Sequence, residues 1–213
     1  MIRKGDPMNN TSKLIALTFD DGPAPTTLPI IQTLEANNSV ATFFANGVHL
    51  ERYPEITAYA SQIGCEIGNH TSDHRHLPEL SYDEIVKQLE ATTDLILPIT
   101  SLRPTLMRPP FGEYNEDVKQ ACKACDLALI NWSIDPKDWD HDNPDITRER
   151  VLNELEDGSI VLFHDRLPGT SALMSRFIPE LIELGYKLVT VSQLFEARGL
   201  APNPGTLYLG PIT

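Results

Sequence analysis

Along this chain, short runs of β-branched, aliphatic and aromatic residues each stop at a polar cluster, and each is followed by a segment with apolar residues at helical spacing. The first run, Leu14 to Phe19, reads as a buried strand that ends at Asp20-Asp21, where Gly22-Pro23 forces a turn. Leu28, Ile31 and Leu34 then predict a helix that stops at Asn37-Asn38, and Val40 to Phe44 predicts a second strand. Ile56, Tyr59, Ala60 and Ile63 lie on one helical face ended by Gly64, and Cys65 to Gly68 is a short third strand running into Asn69-His70. Ser81-Tyr82-Asp83-Glu84 has the form of a helix N-cap with acids in the first turn, and Ile85, Leu89, Thr92, Leu95 and Ile96 continue its apolar face.

Thr105 to Met107 predicts a brief strand delivering Arg108. A helix over Asn115 to Cys125 precedes a strand over Leu127 to Ile134, which ends at Asp135. Helix Thr147 to Leu155, strand Ser159 to Phe163, helix Ser171 to Leu184, strand Tyr186 to Val191 and a closing helix near Ser192 to Ala197 complete the pattern. Strand and helix thus alternate about seven times, with no long linker or internal repeat, which predicts one α/β domain on a mainly parallel sheet, closed or open. Residues 1–13 read as a polar lead-in, 14–198 as the domain and 199–213, rich in Pro and Gly, as a C-terminal tail.

Composition narrows the partners. With 213 residues and 41% hydrophobic content, the chain fills one core without a disulfide or metal staple. Thirty acidic against 17 basic residues give a formal charge of -13, which argues against nucleic acid and anionic lipid and fits a neutral or cationic partner. No run approaches the roughly 18 apolar residues that would cross a bilayer, and the start lacks the apolar core of a signal peptide, so a soluble chain is expected. Three cysteines do not make a disulfide framework. Cys122 and Cys125 form a C-x-x-C inside a helical pattern, read by default as small buried residues and alternatively as a redox or zinc pair.

The chemistry lies in the polar clusters. In a parallel α/β domain the C-terminal ends of all strands share one face, so Asp20-Asp21, His70 with His74, Arg108, Asp135 with Asp138-Trp139, and His164-Asp165 converge there. His70 and His74, four apart, suit ligation from one side of a single helical turn. A carboxylate from the Asp20-Asp21 pair would complete a two-His, one-carboxylate set with open positions. Taken singly, each cluster is also ordinary turn chemistry or a surface pair.

Together, Thr18-Phe19-Asp20-Asp21-Gly22-Pro23, Asn69-His70-Thr71-Ser72-Asp73-His74, Arg108-Pro109-Pro110-Phe111-Gly112, Asp135-Pro136-Lys137-Asp138-Trp139 and Leu162-Phe163-His164-Asp165 resemble, in order, the five motifs of the polysaccharide deacetylases, the NodB-like carbohydrate esterases. The resemblance implies a single-domain distorted (β/α)7 barrel and one divalent metal, usually zinc with cobalt, nickel or manganese as substitutes, held by Asp21, His70 and His74. It implies Asp20 as general base, Arg108 as its partner, the Phe111 N–H as an oxyanion donor and His164 as the acid, with Asp138 raising its pKa. Trp139 and Leu162 would wall the acetyl pocket, and Asp135 would support the arginine side.

The implied substrate is an acetylated polysaccharide: N-acetylglucosamine units of chitin-like or peptidoglycan chains, with O-acetyl esters of xylan as the alternative. Such a substrate implies a secreted or cell-surface protein, and a monomer is expected. A carbohydrate-binding protein that had lost activity would lack one of Asp20, Asp21, His70, His74 or His164, and all are present. A nucleotide-binding fold would carry a Gly-rich loop after the first strand, where this chain has acids. Cys65, Asp73 and Phe111 depart from the residues more usual in the family. His49 and His141 read as exposed or locally bonded, His76 as a loop residue with contact to the site as the alternative, and Asp142 and Asp145 as parts of a solvated acidic loop.

Overall fold

The computed structural model describes residues 13–140 and 143–213, so most of the lead-in, and the readings of His141 and Asp142, lie outside the described residues. The strands are β1 (Lys13–Asp20), β2 (Thr42–Ala45), β3 (Glu66–Asn69), β4 (Leu106–Met107), β5 (Ala128–Ile130), β6 (Ile160–His164), β7 (Tyr186–Leu188) and β8 (Leu207–Tyr208). The helices are α1 (Thr27–Ala36), α2 (Gly47–Arg52), α3 (Pro54–Gln62), α4 (Tyr82–Thr100), α5 (Glu116–Ala124), α6 (Pro144–Glu154), α7 (Pro168–Glu183) and α8 (Val191–Ala197).

The pairings are all parallel, in the order β6-β1-β2-β3-β4-β5-β8, with β7 joining the first three residues of β1. The sheet curls into a half-barrel. The chain beyond β5 meets β6 through an isolated bridge, Ile134 to Val161, which is why the strand predicted over Leu127 to Ile134 is regular only at Ala128–Ile130. Beyond that point the chain bends to reach β6, and Ser133 and Ile134 both donate their N–H to Ile160 O.

Both faces of the sheet are buried, so β1 is almost continuously apolar while its side chains still alternate. Ile15, Leu17 and Phe19 pack outward with Ile30, Ile31 and Leu34 of α1 and with Phe177 and Ile178 of α7. Ala16 instead joins Phe44, Leu106, Ala128, Ile130 and Ile160 inside the curl, where Leu194 and Phe195 of α8 close the base. Thr18 and Asp20, two and four residues on from Ala16, continue that inward side toward the C-terminal rim.

Two elements were not anticipated. α2 is too short to show an apolar period, and Asn46 starts it by accepting from Val48 N–H. The stretch read as a tail is folded back: β8 pairs with β5, Asn131 N–H donates to Tyr208 O, and Ile212 N–H donates to Gly158 O. Its apolar residues are too few to signal a strand alone, and the unpaired side of β5 supplies the partner.

The cysteines are free and buried, and burial pushes the Cys65 thiol up to about 12 and raises those of Cys122 and Cys125. Inert packing residues are the outcome. Asp145 pairs with Arg176 at 2.6 Å on the surface.

Gly158 sits at φ +90°, and a Cβ there would lie 2.4 Å from Ile212 O. Gly158→Ala is therefore expected to lower stability by about 1–3 kcal/mol. Chemical denaturation checks this, and an unchanged midpoint would show that the C-terminal residues do not brace the base.

Candidate active site

The inward alternation of β1 sets the first part of the site. Thr18 and Asp20 face the same way, and both accept from Arg108 Nη1, at 2.7 and 2.8 Å. Arg108 is fully buried; its Nε donates to Ile130 O at 2.9 Å and its Nη2 to Asn131 O at 2.8 Å, while its guanidinium lies 4.4 Å from the Phe44 ring centre. Burial lowers the guanidinium's pKa and Asp20 opposes that shift. Asp20 Oδ1 is thus committed to the arginine, leaving Oδ2, 3.9 Å from His70 Nε2.

Asp21 leaves the strand at φ 74°, so its carboxylate turns to different partners. Asp21 Oδ1 is buried and has no hydrogen-bond partner among the described residues, with His70 Nε2 at 3.4 Å and His74 Nε2 at 3.1 Å. Oδ2 accepts from Arg166 Nε at 2.8 Å, and the backbone carbonyl meets His49 Nδ1 at 2.5 Å. Burial alone would raise the Asp21 carboxyl, but the two imidazoles and Arg166 outweigh it and hold the group far below the usual carboxylate range.

His70 and His74 do not share a helical turn. They lie in a loop with Thr71 at φ 63° and His74 at φ 60°. Its N–H groups go to side chains and neighbours instead of to a helix: Thr71 N–H to Asn69 Oδ1, and Ser72 and Asp73 N–H to Gln88 Oε1 of α4. From the other side, Gly47 and Val48 N–H at the start of α2 donate to Thr71 O and Ser72 O. A Cβ on Gly47 would sit 2.9 Å from the Ser72 Cα, so the close approach requires glycine.

These residues fit a divalent cation. Ligand atoms of Asp21, His70 and His74 all lie within 4.8 Å of one another, and the buried Asp21 Oδ1 lacks a hydrogen-bond partner among the described residues. His70 Nδ1, 2.7 Å from Arg108 O, is the donor in that bond, which leaves the Nε2 lone pair for a metal. Asp73 is exposed and is not one of the three.

On the opposite wall, His164 ends β6. Its Nδ1 bonds Asp138 Oδ1 at 2.7 Å, while Asp138 Oδ2 accepts from His164 N–H at 2.8 Å and from the Thr170 hydroxyl at 2.6 Å. Burial disfavours the imidazolium, yet Asp138 overrides it and the imidazole is pushed up to about 9. The next residue, Asp165, is buried beneath the first turn. Its Oδ2 accepts from Thr27 at 2.7 Å, and a Cβ on Gly22 would collide with it at 2.0 Å.

Asp20, Asp21, His70, His74, Phe111, Asp135, Trp139, Leu162 and His164 line one cavity of about 400 Å³, together with Trp132, Arg166 and Leu167. Phe111 sits at φ 61° in a tight turn, its N–H bonded to nothing among the described residues. His74 meets its ring edge-on at 4.7 Å and His76 stacks on it at 4.0 Å, held by Glu113 at 2.8 Å.

A family model described as polysaccharide deacetylase matches residues 8–130. The chain belongs to that family. It is 40% identical over 196 residues to the peptidoglycan-N-acetylmuramic acid deacetylase PdaC of Bacillus subtilis, covering 92% of this chain and 41% of that protein. The solved PdaC structure superposes with a TM-score of 0.85 over 90% of this chain and 94% of that one, at 38% identity. The peptidoglycan-N-acetylglucosamine deacetylase PgdA of Listeria monocytogenes is 36% identical, covering 89% of this chain and 40% of that protein. The Xyl-CE4 domain of a multidomain xylanase from the hindgut metagenome of Trinervitermes trinervoides matches with a TM-score of 0.87 and 29% identity, covering 94% of this chain and 98% of that one. The chain spans about two fifths of the length of the PdaC and PgdA sequences.

In this polysaccharide deacetylase domain the motif residues gather at one cavity, Asp135 included, but Asp135 does not reach Arg108. Its Oδ1 accepts from Lys137 N–H at 2.9 Å, and the Arg108 bonds go to Thr18, Asp20, Ile130 and Asn131 instead. Asn131 in turn donates to Gly112 O at 3.1 Å and so links the arginine to the Phe111 turn. Asn131, Thr18 and Arg166 were missed, and His49 was read as exposed or locally bonded without its place against Asp21; only Thr18 lay inside a motif, and only its two-residue spacing from Asp20 signalled it.

Asp20→Asn is expected to retain a metal equivalent while His74→Ala loses it, as read by elemental analysis and calorimetric titration with zinc. Equal loss in both would refute the division between the two acids.

Proposed function

We propose that this domain is a metal-dependent deacetylase that hydrolyses N-acetyl groups on N-acetylglucosamine-containing polysaccharide, peptidoglycan or a chitin-like chain. The observation that carries this is one cavity holding a complete cation donor set, a second carboxylate locked by Arg108, and an imidazole raised to about 9. A divalent ion, zinc by preference, held by Asp21, His70 and His74 would lower the pKa of a water to about 7 and polarise the acetyl carbonyl.

Asp20 Oδ2 takes the proton of the attacking water, since Oδ1 is occupied by Arg108. The Phe111 N–H donates to the developing oxyanion, a contribution typically of about 3 kcal/mol. His164, its Nδ1 fixed by Asp138, delivers a proton from Nε2 to the departing nitrogen. Trp139 and Leu162 hold the acetyl methyl. Asp135 contributes to the cavity wall and not to the arginine.

PdaC and PgdA are named for the two sugars of peptidoglycan, which favours that polymer among N-acetylated glycans. The Xyl-CE4 neighbour supports a second reading, removal of O-acetyl esters from xylan, because ester attack uses the same donors.

Zinc-loaded protein is expected to release acetate from peptidoglycan and chitin oligomers faster than from acetylated xylan. The reverse order would replace the first reading with the second. Because His164 must be protonated, activity is expected to persist at lower pH and fall as pH rises through about 9. Asp138→Asn should bring that alkaline limb down toward the ordinary value of 6.5. His164→Ala should depress amide hydrolysis far more than hydrolysis of an activated ester, and equal losses would remove its role as the acid.

A further inference from the structure

Arg166 stands in the turn between β6 and α7 and is the one Lys or Arg among the described residues lining the cavity. Its Nε donates to Asp21 Oδ2 at 2.8 Å, and this uses only one edge of the guanidinium. The side chain is 54% exposed, and its two terminal nitrogens have no partner among the described residues. A planar fork with one edge anchored and its end free is organised to receive a second carboxylate with two parallel hydrogen bonds. The anchor fixes its place beside the cation position.

We infer that Arg166 reads a carboxylate on the substrate, selecting glycans that carry one near the acetamide over neutral ones. The inference rests on the deacetylase reading above and deepens it. A chain of net charge -13 would repel an anionic glycan, and a free guanidinium at the cavity supplies the local attraction that its composition withholds. In peptidoglycan the carboxylate comes from one of two sources. One is the lactyl ether of a peptide-free muramic acid, and the other is the stem peptide that elsewhere caps that ether as an amide.

The test uses the full chain at saturating zinc. Hydrolysis is compared on chitotetraose, a peptide-free tetrasaccharide of alternating N-acetylglucosamine and N-acetylmuramic acid, and its peptide-bearing counterpart. Arg166→Gln is expected to lower kcat/KM on a carboxylate-bearing substrate relative to chitotetraose by about tenfold or more. The arm that loses its preference identifies the carboxylate. An equal loss on all three would leave Arg166 as no more than a support for Asp21 and overturn the inference.

Binding decides the matter without turnover. Calorimetry of zinc-loaded wild type should show tighter binding of the carboxylated oligosaccharide than of the neutral one, with the preference lost in Arg166→Gln. Equal affinities in wild type overturn the inference. A preference with no acetate released from any substrate keeps Arg166 as the carboxylate reader and instead sinks the deacetylase reading.

Discussion

The Arg108 guanidinium is the interaction on which the site depends. A fully buried cation is tolerated only when its donors find acceptors, and those of Arg108 are spent on the Thr18 hydroxyl, the Asp20 carboxylate and two backbone carbonyls. Those four partners sit on β1, at the end of β5 and on Asn131 just past it, across the curl of the sheet. The same residue also accepts from His70 Nδ1 through its backbone carbonyl. One position therefore orients both the Asp20 carboxylate and an imidazole of the candidate metal site. Truncating Arg108 would leave Asp20 as an uncompensated buried charge and release His70 only indirectly, through the backbone.

Adjacent carboxylates would ordinarily compete for the same role. Here the strand separates them. Asp20 belongs to the inward set of β1 with Thr18, whereas Asp21 is the first residue off the strand and takes a left-handed conformation. The result is two electrostatic environments one peptide apart: Asp20 against a buried guanidinium, Asp21 against two imidazoles and a half-exposed one. Pairing titratable groups with different partners is how a site assigns different duties to like residues. Asp165 secures the arrangement from below, since Gly22 packs against its carboxylate and admits no side chain.

Much of this was legible because a parallel topology turns sequence position into spatial position. An apolar run that stops at a polar residue places that residue on the C-terminal rim, so Asp20, His70, Arg108 and His164 were found without any knowledge of contacts. The conformation of the His70–His74 loop was not legible. Its backbone is satisfied by Asn69, Gln88 and the N-terminus of α2, partners that no local spacing reveals. β8 was missed for a related reason: Leu207 and Tyr208 are too short a run to predict pairing, and only the open side of β5 makes them a strand. Asn131 and Arg166 lie one to a few residues outside recognisable clusters, and their importance rests entirely on where the neighbouring strands bring them.

The proposed base, Asp20, and the proposed acid, His164, stand on opposite sides of the cavity, each paired with a charged partner. Arg108 keeps the Asp20 carboxylate paired, and Asp138 keeps the His164 imidazole protonated to about 9. Asp138 is itself fixed by the His164 N–H and by Thr170 at the start of α7, so the imidazole's elevation is built into the strand-to-helix turn. An imidazolium that persists at neutral pH is of modest value to an ester, whose alkoxide leaves with moderate help. An amine leaves poorly unless it is protonated in the transition state. Within the proposed mechanism, with His164 as the acid, its elevation would serve an acetamide more than an acetyl ester.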